Sequence, residues 1–373
     1  MKITEVRATP LLVPYKQPYH WAQGVTYGAE VVLVEVETDA GVTGYGESVG
    51  GASATAVQAL LGKAGDICLG HSPFENASLM RRAYHELFEE QGTGSAPRFA
   101  GLVLAGLEMA LWDAMGKATG RAVHELLGGA LRDEIHYFGF AQGDTPEELA
   151  EDARAFAEAG CEVIYVKVGR GEALDLAIAA QVRAAIGGRR LRLDANEAWD
   201  PLTASRMIRK LAAFDIEFIE QPTTSESVTA LAQVRAASPV AIAADQLVFT
   251  PANVYEVCRE RAADVIVLGL HETGGILRFR KAAAVAEAAG IRICVHGVHE
   301  TGITTCAANQ VAATLPNLDD GNQYMNHLLK EDVVMQPDLA LKGGKLPVLS
   351  GPGLGFELDW DAIGRAAEAH RKM

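Results

Sequence analysis

Five short apolar runs from residue 163 onward end on a polar residue, and those residues recur at a nearly constant step. VIYVK, LRLD, IEFIE, VAIAAD and IRICVH close on Lys167, Asp194, Glu220, Asp245 and His296. The first three intervals are 27, 26 and 25 residues, and the last, 51, is about twice that step. Alanine-rich stretches with apolar residues three and four apart lie between the runs and predict helices. A repeat of one strand plus one helix at this period is the building unit of a parallel (β/α) barrel. The competing open, doubly wound sheet calls for a glycine-rich phosphate loop after a strand. No such loop follows any of these runs.

The amino-terminal part reads differently. AEVVLVEVETDAGVTGYGES alternates on either side of Asp39-Ala40-Gly41, which predicts two antiparallel strands around a turn. Helical spacing then takes over around residues 52–70, 74–92 and 97–118. Strands followed by helices predict an α+β domain over residues 1–130. The barrel is expected over 131–345, with a carboxyl-terminal segment from 346 to 373.

Charge narrows the partners. With 33 basic and 48 acidic residues the net charge is −15, which gives nucleic acid or an anionic membrane no electrostatic support. The five cysteines are scattered, without CxxC spacing, so a reducing compartment is expected. MKITEVRATPLLVPY lacks the apolar core of a signal peptide, and no stretch reads as a bilayer span. A cytoplasmic enzyme acting on a small molecule is the expectation.

In a barrel of this kind the carboxyl ends of the strands converge on one face. Asp194, Glu220 and Asp245 then crowd three carboxylates into one space, which calls for a cation. An all-oxygen set favours Mg²⁺, with Mn²⁺ as the alternative, over zinc. Lys167 sits one strand earlier. Lysine is almost never buried without a partner, and here its ammonium is expected beside that metal, where desolvation and a nearby cation lower its pKa toward that of a usable base. His296 closes a strand across the barrel and can exchange a proton near neutral pH. His299 reads as a loop or packing histidine.

The ordered motifs KVG, DAN, EQP, AAD, a GG-containing loop and GPGLGFELD, together with YGES near the amino terminus, resemble the enolase superfamily in its mandelate racemase/muconate lactonizing branch. The resemblance spans nearly the whole chain. It implies a (β/α)7β TIM-like barrel under an N-terminal α+β capping domain, with the carboxyl-terminal segment returning to the cap. It also implies Mg²⁺ on Asp194, Glu220 and Asp245, a carboxylate substrate that loses its α-proton, and a homo-oligomer. Asn196, in the DAN motif, and Glu300, four residues after the histidine, are candidate substrate contacts.

Three departures bear on the reaction. Tyr165 stands where many relatives carry the first lysine of Lys-x-Lys, and it is a candidate to touch substrate, tune Lys167 or simply pack. Gly269 stands where relatives place a lysine or aspartate, so His296 lacks the carboxylate that would orient it. HETG occurs twice, at 271–274 and 299–302, and His271 is read as reaching the barrel mouth in place of the missing side chain. The stretch YKQPYHWAQG suits a lid loop, with His20 and Trp21 as its substrate contacts. A histidine without its carboxylate is a weaker base and better suited to protonating a leaving group. The expected activity is therefore dehydration of a sugar acid or other hydroxy acid. A racemase or epimerase, a cycloisomerase, and a metal-binding barrel without catalysis are the alternatives.

Overall fold

The computed structural model describes residues 1–92 and 96–373. A three-stranded antiparallel sheet opens the chain: β1 (Ile3–Trp21), β2 (Gly24–Thr38) and β3 (Thr43–Val49). The stretch expected as a lid loop is the tip of this long β1–β2 hairpin, with Trp21 paired to Gly24. Helices α1 (Ala54–Cys68), α2 (Asn76–Tyr84), α3 (Pro97–Thr119) and α4 (Val123–Leu126) follow. The period-two pattern of β2 decides how the layers stack. Val32, Val34 and Val36 face the helices, whereas Val31 and Leu33 face the barrel side.

The α3 helix corrects one expectation. It is long and apolar enough to cross a membrane, with a mean hydropathy of 1.3, yet 83% of that window is buried inside the protein. It is apolar almost all round because it is covered almost all round, by the sheet on one side and barrel elements on the other.

The second part alternates strand and helix. Its elements are β4 (Glu134–His136), β5 (Gly139–Phe140), α5 (Pro146–Glu158), β6 (Val163–Lys167), α6 (Glu172–Ile186), β7 (Arg190–Asp194), α7 (Pro201–Leu211), β8 (Ile216–Glu220), α8 (Val228–Ala237) and β9 (Ala241–Ala244). Then come α9 (Pro251–Arg259), β10 (Val265–Gly269), α10 (Leu270–Thr273), α11 (Ile276–Ala288), β11 (Arg292–His296) and α12 (Gly302–Ala312). Strands β5 to β11 form one parallel sheet in sequence order. An irregular eighth segment closes the ring, since Ile293 bridges Leu318 on one side and Tyr137 bridges Asn322 on the other. Helices α5, α7 and α9 each begin with a capping Thr or Asp followed by proline, so their starts are set locally. The chain ends with β12 (Val334–Gln336), β13 (Lys345–Pro347), β14 (Glu357–Leu358) and α13 (Trp360–Arg371). β13 pairs with β4, and α13 lies back on β1.

Alternation along each barrel strand separates two surfaces. Ile164, Leu191, Ile219, Ile242 and Ile266 face the helices, while Phe138, Tyr165, Phe218 and Cys294 fill the interior. Arg192 joins that interior fully buried. Its guanidinium donates to Glu217 (2.6 Å), Asp319 (2.6 Å) and the Gly321 carbonyl (2.6 Å), and lies 4.5 Å over the Phe218 ring. It thereby holds the closing segment in place. Arg192→Met is expected to destabilise the protein by about 3–5 kcal/mol, because Asp319 would stay buried without its close ion-pair partner, keeping only the Gly321 amide and the more distant Arg292. Denaturant unfolding checks this, and a loss below about 1 kcal/mol would contradict it.

Candidate active site

Lys167, Asp194, Glu220 and His296 are the last residues of β6, β7, β8 and β11, and Asp245 directly follows β9. Strand register places Lys167 beside Asp194, Asp194 beside Glu220, and Gly269 beside His296. These ends open into a cavity of about 720 Å³ between the barrel and the capping domain. Lys167, Asn196, Gln246, His296 and Gln323 line its floor, and Tyr19, Trp21, Leu102, Val298, His299 and Met325 its walls.

Asp194 already takes three donors from the protein, and its carboxylate keeps lone-pair capacity for a further partner. Its Oδ2 accepts from Lys167 Nζ (2.5 Å) and the Tyr165 hydroxyl (2.6 Å), and its Oδ1 from the Asn196 amide (2.8 Å). Burial disfavours the Lys167 ammonium, but Asp194, Tyr19 and Glu220 together outweigh burial and raise its pKa. Tyr165 does not line the cavity. It stacks on Phe138 at 4.4 Å and serves Asp194.

Glu220 and Asp245 are the opposite case. Glu220 Oε1 and Asp245 Oδ1 are buried with no hydrogen-bond donor, as are Asn196 Oδ1 and Gln246 Oε1. Burial, with neighbouring carboxylates, pushes the Glu220 carboxyl well above its usual range and contributes to holding Asp245 at about 7. Ligand atoms of Glu220, Asp245 and His296 lie within 4.8 Å of one another. Buried carboxylate oxygens lacking donors are costly unless a cation faces them, so the residues fit a divalent metal. Among the candidate donors, His296 has already committed Nδ1.

That commitment is to Glu272, whose Oε2 lies 2.8 Å from His296 Nδ1. Burial opposes the imidazolium, but Asp245 and Glu272 hold His296 up at about 10. Glu272 itself stays near 2 despite burial, because His296 and Arg98 favour its charge. An ionised carboxylate only accepts, so Nδ1 carries the proton and Nε2 is left for exchange. A Cβ at Gly269 would lie 2.8 Å from Glu272 Oε2 and 3.5 Å from His296 Nδ1. The Glu272 carboxylate therefore occupies the space that a side chain at position 269 would need.

His271 does not reach the mouth, contrary to the expectation for it. It is buried beneath the cap, with Nε2 at 2.9 Å from Thr304 Oγ1, and burial lowers its pKa to about 3. The chain leaves β10 directly into the helical turn α10, so successive side chains rotate by about 100° instead of alternating. Position 272, one residue on, is the one turned toward His296. His20 is also corrected. Tyr19 and Trp21 share the cavity face of β1, so His20 points to a separate cleft and pairs with Asp144 at 3.5 Å. Glu300 lies behind the cavity wall, where its Oε2 accepts from the Val298 amide and burial raises its pKa to about 8. His299, read as a loop residue, lines the cavity. Its Nδ1 meets the Tyr15 hydroxyl at 2.8 Å, and burial with the charge of Lys167 lowers its pKa to about 4.

Sequence reasoning missed Glu272, Arg98, Tyr19 and the cavity position of His299. The repeated HETG was the available signal for Glu272.

Comparison with known proteins agrees with this architecture. Residues 3–128 match the mandelate racemase/muconate lactonizing enzyme N-terminal domain, and residues 148–362 the enolase C-terminal domain-like family. The chain is 34% identical to muconate cycloisomerase 1 of Rhodococcus opacus, covering 97% of this chain and 98% of that one. It is 32% identical to the L-Ala-D/L-Glu epimerase of Bacillus subtilis, over 95% and 97% of the two chains. Among solved structures, a dipeptide epimerase from Enterococcus faecalis complexed with Mg and the dipeptide L-Leu-L-Tyr superposes with a TM-score of 0.88. It is 27% identical and covers 96% of this chain and all of that one.

Proposed function

The chain belongs to the mandelate racemase/muconate lactonizing enzyme family of the enolase superfamily, and on that premise we propose that it is a Mg²⁺-dependent racemase or epimerase. Its substrate would be a carboxylate, such as a hydroxy acid or amino-acid derivative, with an exchangeable α-proton. Asp194, Glu220 and Asp245 would hold the metal. Bound there, Mg²⁺ would offset the charge that develops on the substrate carboxylate as the α-proton leaves.

The protein's own part is to carry two protons to and from one carbon. Lys167 Nζ and His296 Nε2 belong to different sides of the barrel, on β6 and β11, and both residues line the same cavity. When one is neutral and the other protonated, the neutral group can take the α-proton while the charged one returns a proton to the opposite face. Tyr19, Trp21 and the capping hairpin restrict water around that exchange.

The observation that carries this reading is the 2.8 Å contact between Glu272 and His296. The expectation of dehydration rests on a His296 without a carboxylate, and Glu272 removes that ground. The relatives named above are one cycloisomerase and two epimerases, which also speaks for isomerisation. A cycloisomerase would use one of the two groups, whereas the paired His296 favours use of both.

Hydroxy acids, acid sugars and N-modified amino acids incubated in D₂O with Mg²⁺ provide the test, followed by ¹H NMR. At least one is expected to lose its α-proton signal with inversion at that carbon and no loss of water. Loss of water without inversion would make the enzyme a dehydratase. An absence of exchange across the panel would leave a metal-binding barrel.

A further inference from the structure

We propose that Arg98, on the capping-domain helix α3, is a positioning residue that fixes Glu272 and, through it, the working orientation of His296. The proposal rests on the reading of His296 as one of the two proton carriers. Arg98 Nη2 lies 2.8 Å from Glu272 Oε1, while the other oxygen of the same carboxylate holds His296. The order is therefore cap guanidinium, barrel carboxylate, barrel imidazole. One carboxylate sits between two cationic groups, an ion pair with Arg98 on one oxygen and a hydrogen bond from His296 on the other, so rotating it disturbs both.

The surrounding contacts make this linkage specific to α3. The Arg98 guanidinium lies 4.8 Å over the ring of Phe249, which limits its own rotamers. One turn along α3, a Cβ on Gly101 would lie 2.3 Å from the carbonyl oxygen of Glu272, so helix and α10 meet backbone to backbone. Further along, the Glu108 carboxylate accepts from the amides of Ile276 (2.7 Å) and Leu277 (3.1 Å) and caps α11. Gly275 has φ +104°, and a Cβ there would come within 2.3 Å of Glu108 Oε2. The capping helix thus grips the chain on both sides of Glu272, which is the physical use of the HETGG sequence. A relocated carboxylate on a helical turn needs such a clamp, since its side chain is longer than one projecting from the strand end itself. Outer partners that orient metal-ligating histidines are commonly worth about ten- to a hundredfold in activity, and the same scale is expected for an oriented proton carrier.

An ion pair that merely docks the cap would leave His296 unaffected, and this separates the two roles. The full-length enzyme with Mg²⁺ is compared as wild type, Arg98→Met, Arg98→Lys and Glu272→Gln. In ¹⁵N-histidine-labelled protein, the Nδ1 proton of His296 should resonate far downfield in wild type and vanish in Glu272→Gln. It should shift upfield or broaden in Arg98→Met and recover in Arg98→Lys. Turnover of the enantiomer whose exchange depends on His296 should fall about ten- to a hundredfold in Arg98→Met with KM little changed. Exchange of the other enantiomer should stay within about threefold.

An unchanged His296 resonance in Arg98→Met would overturn the proposal. Equal loss for both enantiomers with a raised KM would also overturn it, assigning Arg98 to substrate binding instead. Should Arg98→Met fail to fold, Arg98→Lys and Glu272→Gln still decide, since a lysine that leaves His296 displaced contradicts the clamp. If no substrate shows exchange dependent on His296, the two-group reading fails, while the resonance still reports on Arg98.

Discussion

Lys167→Met should lower turnover by about two to four orders of magnitude, the usual range for removing a general acid–base group. Methionine keeps much of the length and the apolar stem of the side chain, and gives up the ammonium's contacts over the Phe140 and Tyr165 rings. Asp194 loses one partner but keeps the Tyr165 hydroxyl and the Asn196 amide. The fold is therefore expected to survive, and circular dichroism with a melting curve would establish it. The rate measurement then isolates the proton carrier. Turnover near that of wild type would return Lys167 to a structural role as the partner of Asp194.

Much of this site was legible before any coordinates. Strand ends in a barrel must converge, so a period of about 26 residues in the polar residues closing each run was enough to bring Lys167, Asp194, Glu220, Asp245 and His296 together. The period works because each unit is one strand and one helix, whatever the loops contain. What was not legible depends on side-chain direction at points where the backbone changes type. HETG was visible, but whether His271 or Glu272 turns toward His296 is settled by the helical turn that begins at Leu270. His20 and Trp21 are adjacent in sequence and opposite in space, because the hairpin runs to its tip as strand and not as loop. Arg98 had no sequence signal at all. Its role depends on α3 docking against α10, a long-range contact that no local pattern encodes.

The second large effect concerns the metal. Asp245→Asn or Glu220→Gln should lower metal-dependent turnover by about a hundredfold or more, since metal stabilisation of the developing charge is worth several kcal/mol. The metal-free variants should be no less stable than metal-free wild type. Glu220 and Asp245 are buried with donorless oxygens and raised pKa values, so removing one charge relieves repulsion that the protein otherwise bears. Titration calorimetry with Mg²⁺ and melting curves in EDTA measure the two halves separately. Full activity of either variant in EDTA would contradict the metal assignment, and a large loss of stability without metal would contradict the repulsion argument.

The central claim is that Lys167 and the Glu272-paired His296 serve opposite faces of one carbon. Its most direct test is α-deuterium exchange of each substrate enantiomer in D₂O, measured for Lys167→Met and His296→Asn. The account predicts mirror-image results: each variant loses exchange of one enantiomer and retains exchange of the other. Loss of both enantiomers in both variants, or exchange of a single enantiomer accompanied by loss of water, would contradict it.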